Sequence, residues 1–186
     1  MKNSKLTFLL AFLLPLAMAA CKSNKMPVAE QEVIVPCSGK DYRTDSKVFR
    51  ANSVGESVNQ ATSKSKAMTA ARNDLAQAIM TTVNTVTENF VVSREITDRE
   101  ELGIKFQSIN REIVNQTLKG TRTVCETQTK TGKNTYKSYV ALELSANELV
   151  DRYRETISKD ERLRIDYDYE KFKKTFEEEM NKRQNQ

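Results

Sequence analysis

Histidine is absent from this 186-residue chain. That removes Ser-His-Asp triads and Cys-His nucleophile pairs within the chain. It also removes the commonest zinc ligand. Tryptophan is absent too, and cysteine occurs only three times. No glycine-rich phosphate loop, metal-ligand spacing or catalytic signature stands in the sequence, and the residues call for no cofactor. The charge excess is small, +5 over the whole chain. Removing residues 1–20 takes away Lys2 and Lys5 and no acid, which leaves +3. Such a value carries no nucleic-acid footprint. About 165 residues then remain, enough for one domain of ordinary size.

What is present begins at the N-terminus. Lys2 and Lys5 precede LTFLLAFLLPLAM, Leu6–Met18, and then Ala19, Ala20 and Cys21. A basic start, an apolar core and small residues at a cut describe a secretory signal peptide. The run is too short to remain as a membrane span, which needs about 20 apolar residues, and Pro15 breaks it. The small-small-Cys ending resembles the bacterial lipobox, although Met18 stands where leucine is commoner. The resemblance implies acylation of the Cys21 thiol, after which Cys21 becomes the first residue. The expected organisation is a signal at 1–20, a lipidated N-terminus and linker at 21–45, an α+β domain at 46–158 and a charged helix at 159–186. By analogy with lipoprotein sorting, Lys22 in place of an acid leans toward the outer membrane. KSNKMPVA has no acid to mark surface export, so a periplasm-facing anchor is expected. The membrane is one partner on this reading, and nucleic acid is not.

With Cys21 on lipid, Cys37 and Cys125 remain. An exported chain meets an oxidising compartment, where two cysteines either bridge or stay as separate thiols. Spacing alone does not decide between them.

Along the chain, Val33–Val35 before Pro36 predicts a short edge strand. Residues 47–53 predict a strand, with Gly55 as punctuation and Ser57 as a helix cap. From Val58 to Phe90 apolar residues recur in steps of three and four, through Met68, Ala71, Leu75, Ile79, Val83, Val86 and Phe90. The first half is rich in alanine, the best helix former. A bend is expected at the threonines of TTVNTVTEN. A second helix over Thr97–Leu118 carries a Thr97/Glu100 capping box, with Leu102, Phe106, Ile109, Ile113 and Thr117 on one face. TRTVCETQTK and TYKSYVALELS, joined by TGKN, predict a β-hairpin. Tyr136, Ser138, Val140, Leu142 and Leu144 share one face of its second arm. Ser145 with Glu148 predicts the capping box of a third helix, whose buried side holds Leu149, Tyr153 and Ile157.

The C-terminal segment DERLRIDYDYEKFKKTFEEEMNKR is densely charged. Ile165, Tyr169, Phe172, Phe176 and Met180 nevertheless repeat at four, three, four and four residues, which places them on one helical stripe. Either the stripe packs on its own domain, or it seats an envelope protein or a second copy.

The order strand, alanine-rich helix, hairpin, helix behind a lipidation signal resembles the LPP-twenty-type bacterial lipoprotein family. Gly55, Ala61, Ala67, Ala70-Ala71-Arg72, Leu75, Ala76 and YKSYVALEL carry the likeness, over roughly residues 46–145. The resemblance implies a small antiparallel sheet, strand plus hairpin, packed on long helices. It implies an envelope lipoprotein with no catalytic residues to carry over. The long second helix and charged tail depart from the pattern.

Two further constellations stand out. Lys130, Lys133 and Lys137, with Lys119 and Arg122, predict a basic patch for headgroups or an anionic glycan, or simply a solvated hairpin tip. Asp98, Glu100 and Glu101, and separately Asp166 and Asp168, are acidic clusters without the facing geometry a glycosidase needs. The function expected is therefore non-enzymatic, a binding or structural role in the envelope. The alternative is a binding domain for an anionic glycan or small ligand, and a hydrolase ranks third.

Overall fold

The computed structural model describes residues 33–92, 99–160, 163 and 168–184. The compact unit of the fold runs from Ile34 to Gln186. Its elements are β1 (Val48–Ser57), α1 (Gln60–Val92), α2 (Arg99–Thr117), β2 (Arg122–Lys130), β3 (Tyr136–Ser145), α3 (Ala146–Ser158) and α4 (Tyr169–Gln184). The class is α+β, a three-stranded antiparallel sheet packed on helices, with β3 between β1 and β2.

The first strand is longer than residues 47–53. It runs to Ser57 and pairs with β3 along its whole length, Val48 opposite Ser145 and Ser57 opposite Tyr136. Gly55 therefore sits inside the strand. A Cβ there would lie 2.2 Å from the Ser63 carbonyl oxygen and 2.5 Å from the Ala67 backbone nitrogen. The glycine is required because the helix backbone crosses the strand at that point. Ser63, Ala67 and Ala71, at successive turns of α1, are fully buried. Their small side chains keep the approach close. Ser63 and Ser138 share a hydrogen bond at 2.7 Å across it.

Ser57 does not cap α1. Its hydroxyl accepts from the Asn59 N–H, and Asn59 is the cap, accepting from the Thr62 N–H at 3.0 Å. The helix runs on for 33 residues, about 50 Å at ~1.5 Å each. It is one continuous helix through the threonines. The hydroxyls of Thr81, Thr82, Thr85 and Thr87 donate to carbonyls one turn back, so the polar residues leave its hydrogen bonding intact. Beyond Ala71 the buried side chains become large, Leu75, Ile79, Val83, Val86 and Phe90. The small half lies on the sheet, and α2 and α4 also pack against α1.

The capping box expected at Thr97 falls outside the described residues. Ser145 occupies the N-cap position of α3 but makes no side-chain cap bond. It is still the last residue of β3, and the Ala146 N–H donates to the Lys47 carbonyl. Glu148, the other half of that expected box, lies over Gly120 instead, where a Cβ would meet its carboxylate at 2.7 Å. Leu149, Tyr153 and Ile157 line the buried side of α3 as their spacing requires. The hairpin turns through Thr131–Thr135, with Asn134 at φ 60°.

The three residues Val33–Val35 form no strand. A turn follows at Pro36–Cys37, with Cys37 at φ 55°, and there the chain is bonded to Cys125 of β2. The linker ends sooner than residue 45, since Cys37 is buried and Lys40–Tyr42 form a short 3-10 helix.

The Gly55 crossing gives a direct expectation. Gly55→Ala drives a methyl into helix backbone and is expected to destabilise by about 1–3 kcal/mol, the usual range for overpacking. Gly132→Ala, where nothing lies within 4 Å of the new Cβ, is the control. Denaturant unfolding of both variants checks the difference.

Candidate functional site

The sequence placed its candidates at the anchor, at a cysteine pair, at a basic hairpin and on the C-terminal stripe. Cys21 lies outside the described residues. The cysteine pair is a disulfide: Cys37 and Cys125 are bonded, with Cα atoms 5.5 Å apart and 88 residues between them in sequence. Cys125 lies on β2 in register with Ala141 of the central strand. Ala141 is fully buried although it points away from the helices.

From the bridge, residues 37–47 cross this outer face as a strap that reaches the far edge of β1. There Thr44 substitutes for a strand partner. Its hydroxyl accepts from the Arg50 N–H at 3.0 Å and donates to the Arg50 carbonyl at 3.1 Å. Arg50 then fastens the strap to the sheet. Its Nε donates to Glu143 at 2.7 Å, and a terminal nitrogen donates to Asp45 at 2.8 Å and to the Arg43 carbonyl at 3.1 Å. Arg122 reaches the other Glu143 oxygen at 3.1 Å. Arg50 and Glu143 are largely buried, which raises the value of the pair over an exposed one. Partial burial pushes the Asp45 carboxyl up. The Lys47 N–H, the Arg50 guanidinium and the Val48 N–H more than offset that and hold it below its ordinary value. A depressed carboxylate contributes stability above its unfolded pKa. The clasp is therefore complete at neutral pH and weakens as pH falls through the lowered value.

The basic patch does not exist as one surface. β2 separates its parts by eight strand steps, about 26 Å at ~3.3 Å each. Lys130, Lys133 and Lys137 lie toward the hairpin end. There Lys130 sits over the Tyr136 ring at 5.6 Å and Lys137 is 3.8 Å from Glu56. Lys119 and Arg122 lie at the other end. Of the acidic residues, Asp98 and Asp166 fall outside the described residues. Asp168 is a helix cap, accepting from the Lys171 N–H at 3.0 Å. No group of three His, Cys, Asp or Glu among the described residues could hold a metal.

The C-terminal stripe is corrected by its surroundings. Phe172, Phe176 and Met180 are buried in the core of their own domain. Phe172 meets Tyr153 at 4.9 Å and Phe90 at 6.4 Å, and Phe176 meets Phe49 at 6.2 Å. Tyr169 is partly buried and stacks under Arg154 at 5.0 Å. Ile165 falls outside the described residues. The surface left open for a partner is thus occupied by the chain itself. The face that covers the stripe is the large-residue half of α1 together with β1 and α3.

A feature not foreseen lies between α1 and α2. A cleft of about 510 Å³ is walled by Met80, Val91 and Phe106, with Asn84, Glu88 and Arg111 supplying polar groups. Behind it runs a buried chain of side-chain bonds. The Tyr153 hydroxyl donates to Asn110, which donates to Asn84 at 2.8 Å and to Thr87 at 3.0 Å. The signal for this was present in Asn110, which takes its place on the apolar face between Phe106 and Ile113.

Comparison with protein-family models, with curated proteins and with solved structures returns no match.

The disulfide has a measurable role. Closing so long a loop stabilises by about 4–5 kcal/mol in the chain-entropy model. Cys37→Ser with Cys125→Ser is expected to lower stability by up to that amount. It should also speed tryptic cleavage at Lys40 and Arg43, while the helical circular dichroism at ambient temperature stays unchanged. Equal cleavage rates with and without the bridge would show that the clasp holds the strap alone.

Proposed function

We propose that this chain is an envelope lipoprotein of outer-membrane, periplasm-facing type, anchored through lipid on Cys21, whose domain has a non-catalytic binding or structural role. The carrying observation is the partition of its three cysteines. The Cys37–Cys125 bond uses two and leaves Cys21, at the end of the apolar run, for the acyl chains. A long-range disulfide also suits an exported protein, since such bonds persist in oxidising compartments. No helix among the described residues is long and apolar enough to cross a membrane. The likeness to the LPP-twenty-type family supports the same reading through its element order and its Gly55–alanine crossing.

A second reading, a domain for a small or polymeric ligand, draws on the α1–α2 cleft. Its volume suits a ligand site, and apolar walls with a few polar groups are the usual lining. Glu88 and Arg111 on opposite walls would favour a ligand carrying both an acidic and a basic group.

The anchor is tested in cells producing the chain with labelled palmitate. The native chain is expected to take up label and to sediment with membranes, and Cys21→Ser to do neither. Label persisting in Cys21→Ser, or absent from the native chain, rejects the reading.

A further inference from the structure

We propose that the outer face of the sheet is the surface this domain lays on the anionic lipid headgroups of the membrane that holds it, with Ile34, Val35, Val54 and Tyr139 at the contact. The proposal rests on Cys21 as the anchor.

Its first support is the point where the tether ends. The compact unit begins at Ile34. Three residues later the chain is bonded to Cys125 on this face, and the Cys37 sulfur lies 3.6 Å from the Tyr139 carbonyl oxygen. The tether leaves from the face itself, because the strap carries it across the sheet from the start of β1. Residues 22–33 are all that separate Cys21 from the domain. Twelve residues reach at most about 40 Å at ~3.3 Å each. Within that reach the face meets the headgroups as an intramolecular partner, where weak contacts suffice.

The second support is what the face and the segment leading to it expose. Ile34 is 90% exposed, Val54 50% and Val35 41%. Val54 is the register partner of Tyr139, which is the register partner of Thr127. This row lies two residues beyond the Cys125–Ala141 pair, toward the hairpin. A tyrosine with aliphatic neighbours is the composition found at headgroup depth.

The third support is charge. In the tether Lys22 and Lys25 stand toward the anchor, and Glu30 and Glu32 balance them toward the domain. Lys40 and Arg43 are exposed on the strap, and Lys137 lies on the outer face of β3. Among the acids, Asp45 and Glu143 are spent on Arg50, and Glu56 accepts from Thr135 and faces Lys137. Asp41 stands beside Lys40 and Arg43. Basic residues within a Debye length of an anionic leaflet are drawn to it.

The chain lacks tryptophan, so one introduced tryptophan is a clean reporter. With the disulfide intact, the Cys21 thiol alone reacts with a maleimide. The chain from Cys21 onward is coupled to a maleimide lipid in vesicles of phosphatidylethanolamine and phosphatidylglycerol that carry brominated chains. Two variants are compared, Val54→Trp on the proposed face and Asn73→Trp on the exposed side of α1. The expected result is a blue shift and several-fold stronger bromine quenching for Val54→Trp than for Asn73→Trp. Lys40→Glu with Arg43→Glu, or high salt, should reduce it. Equal quenching of both, or stronger quenching of Asn73→Trp, overturns the proposal. Coupling supplies the lipid chemically, so a negative outcome counts against the face, while the palmitate experiment alone judges the anchor.

Discussion

A helix of 33 residues, buried along one side from Ser63 to Phe90, sets the terms for everything else in the fold. Each turn of that side needs a partner, and a three-stranded sheet cannot supply them all. The division is visible in side-chain size. Where the strands lie beneath it, the helix carries Ser63, Ala67 and Ala71 and touches Gly55 backbone to backbone. Farther on it carries Leu75, Ile79, Val83, Val86 and Phe90, and these are covered by helices. Phe90 meets Phe106 of α2 at 5.9 Å and Phe172 of α4 at 6.4 Å. The charged tail is therefore recruited to the core by the length of α1. Its rings close the space between α1, α3 and the start of β1.

The opposite face of the sheet is organised by a covalent bond and one arginine. The bridge at Cys125 and the Arg50 clasp hold the strap at both ends, so the segment arriving from the N-terminus is bound before β1 begins. For the proposed tether the consequence is mechanical. A pull on the N-terminus is taken by the disulfide on β2, without peeling β1 from its place at the sheet edge. On the proposal that Cys21 is the anchor, the twelve residues between it and Ile34 limit how far the domain can travel from the membrane.

Much of the architecture was legible because periodicity reports burial directly. The steps of three and four from Met68 to Phe90, and the alternation of Ser138, Val140, Leu142 and Leu144, gave the long helix and the central strand within a few residues. Errors arose where a local signal competed with a distant contact. Gly55 looked like a strand end because glycine breaks strands, but it is demanded by a helix later in the chain. Ser145 and Glu148 have the spacing of a capping box, yet Ser145 is held in the sheet and Glu148 is drawn over Gly120. The stripe through Phe172, Phe176 and Met180 was correctly seen as needing cover. Periodicity cannot say whether that cover comes from another chain or from Phe49, Phe90 and Tyr153 of the same one. The Thr44–Asp45–Arg50–Glu143 clasp was not legible at all. Thr44, Asp45 and Arg50 are near neighbours in sequence, but Glu143 lies 93 residues from Arg50, and no spacing rule connects them.

The central claim is that α4 completes the core. Emptying a buried phenylalanine site costs about 3–5 kcal/mol and a methionine site about 2–5. Losing Phe172, Phe176 and Met180 together is comparable with the whole net stability of a domain, about 5–15 kcal/mol. The direct measurement is thermal unfolding of the chain ended after Lys159 beside the full chain, both with the disulfide intact. The shortened chain should lose its cooperative transition or melt many degrees lower, and should expose apolar surface to a dye. An unchanged melting curve would mean that the helix merely rests on a finished domain, and the account of α1 as a helix needing cover along its whole length would be wrong.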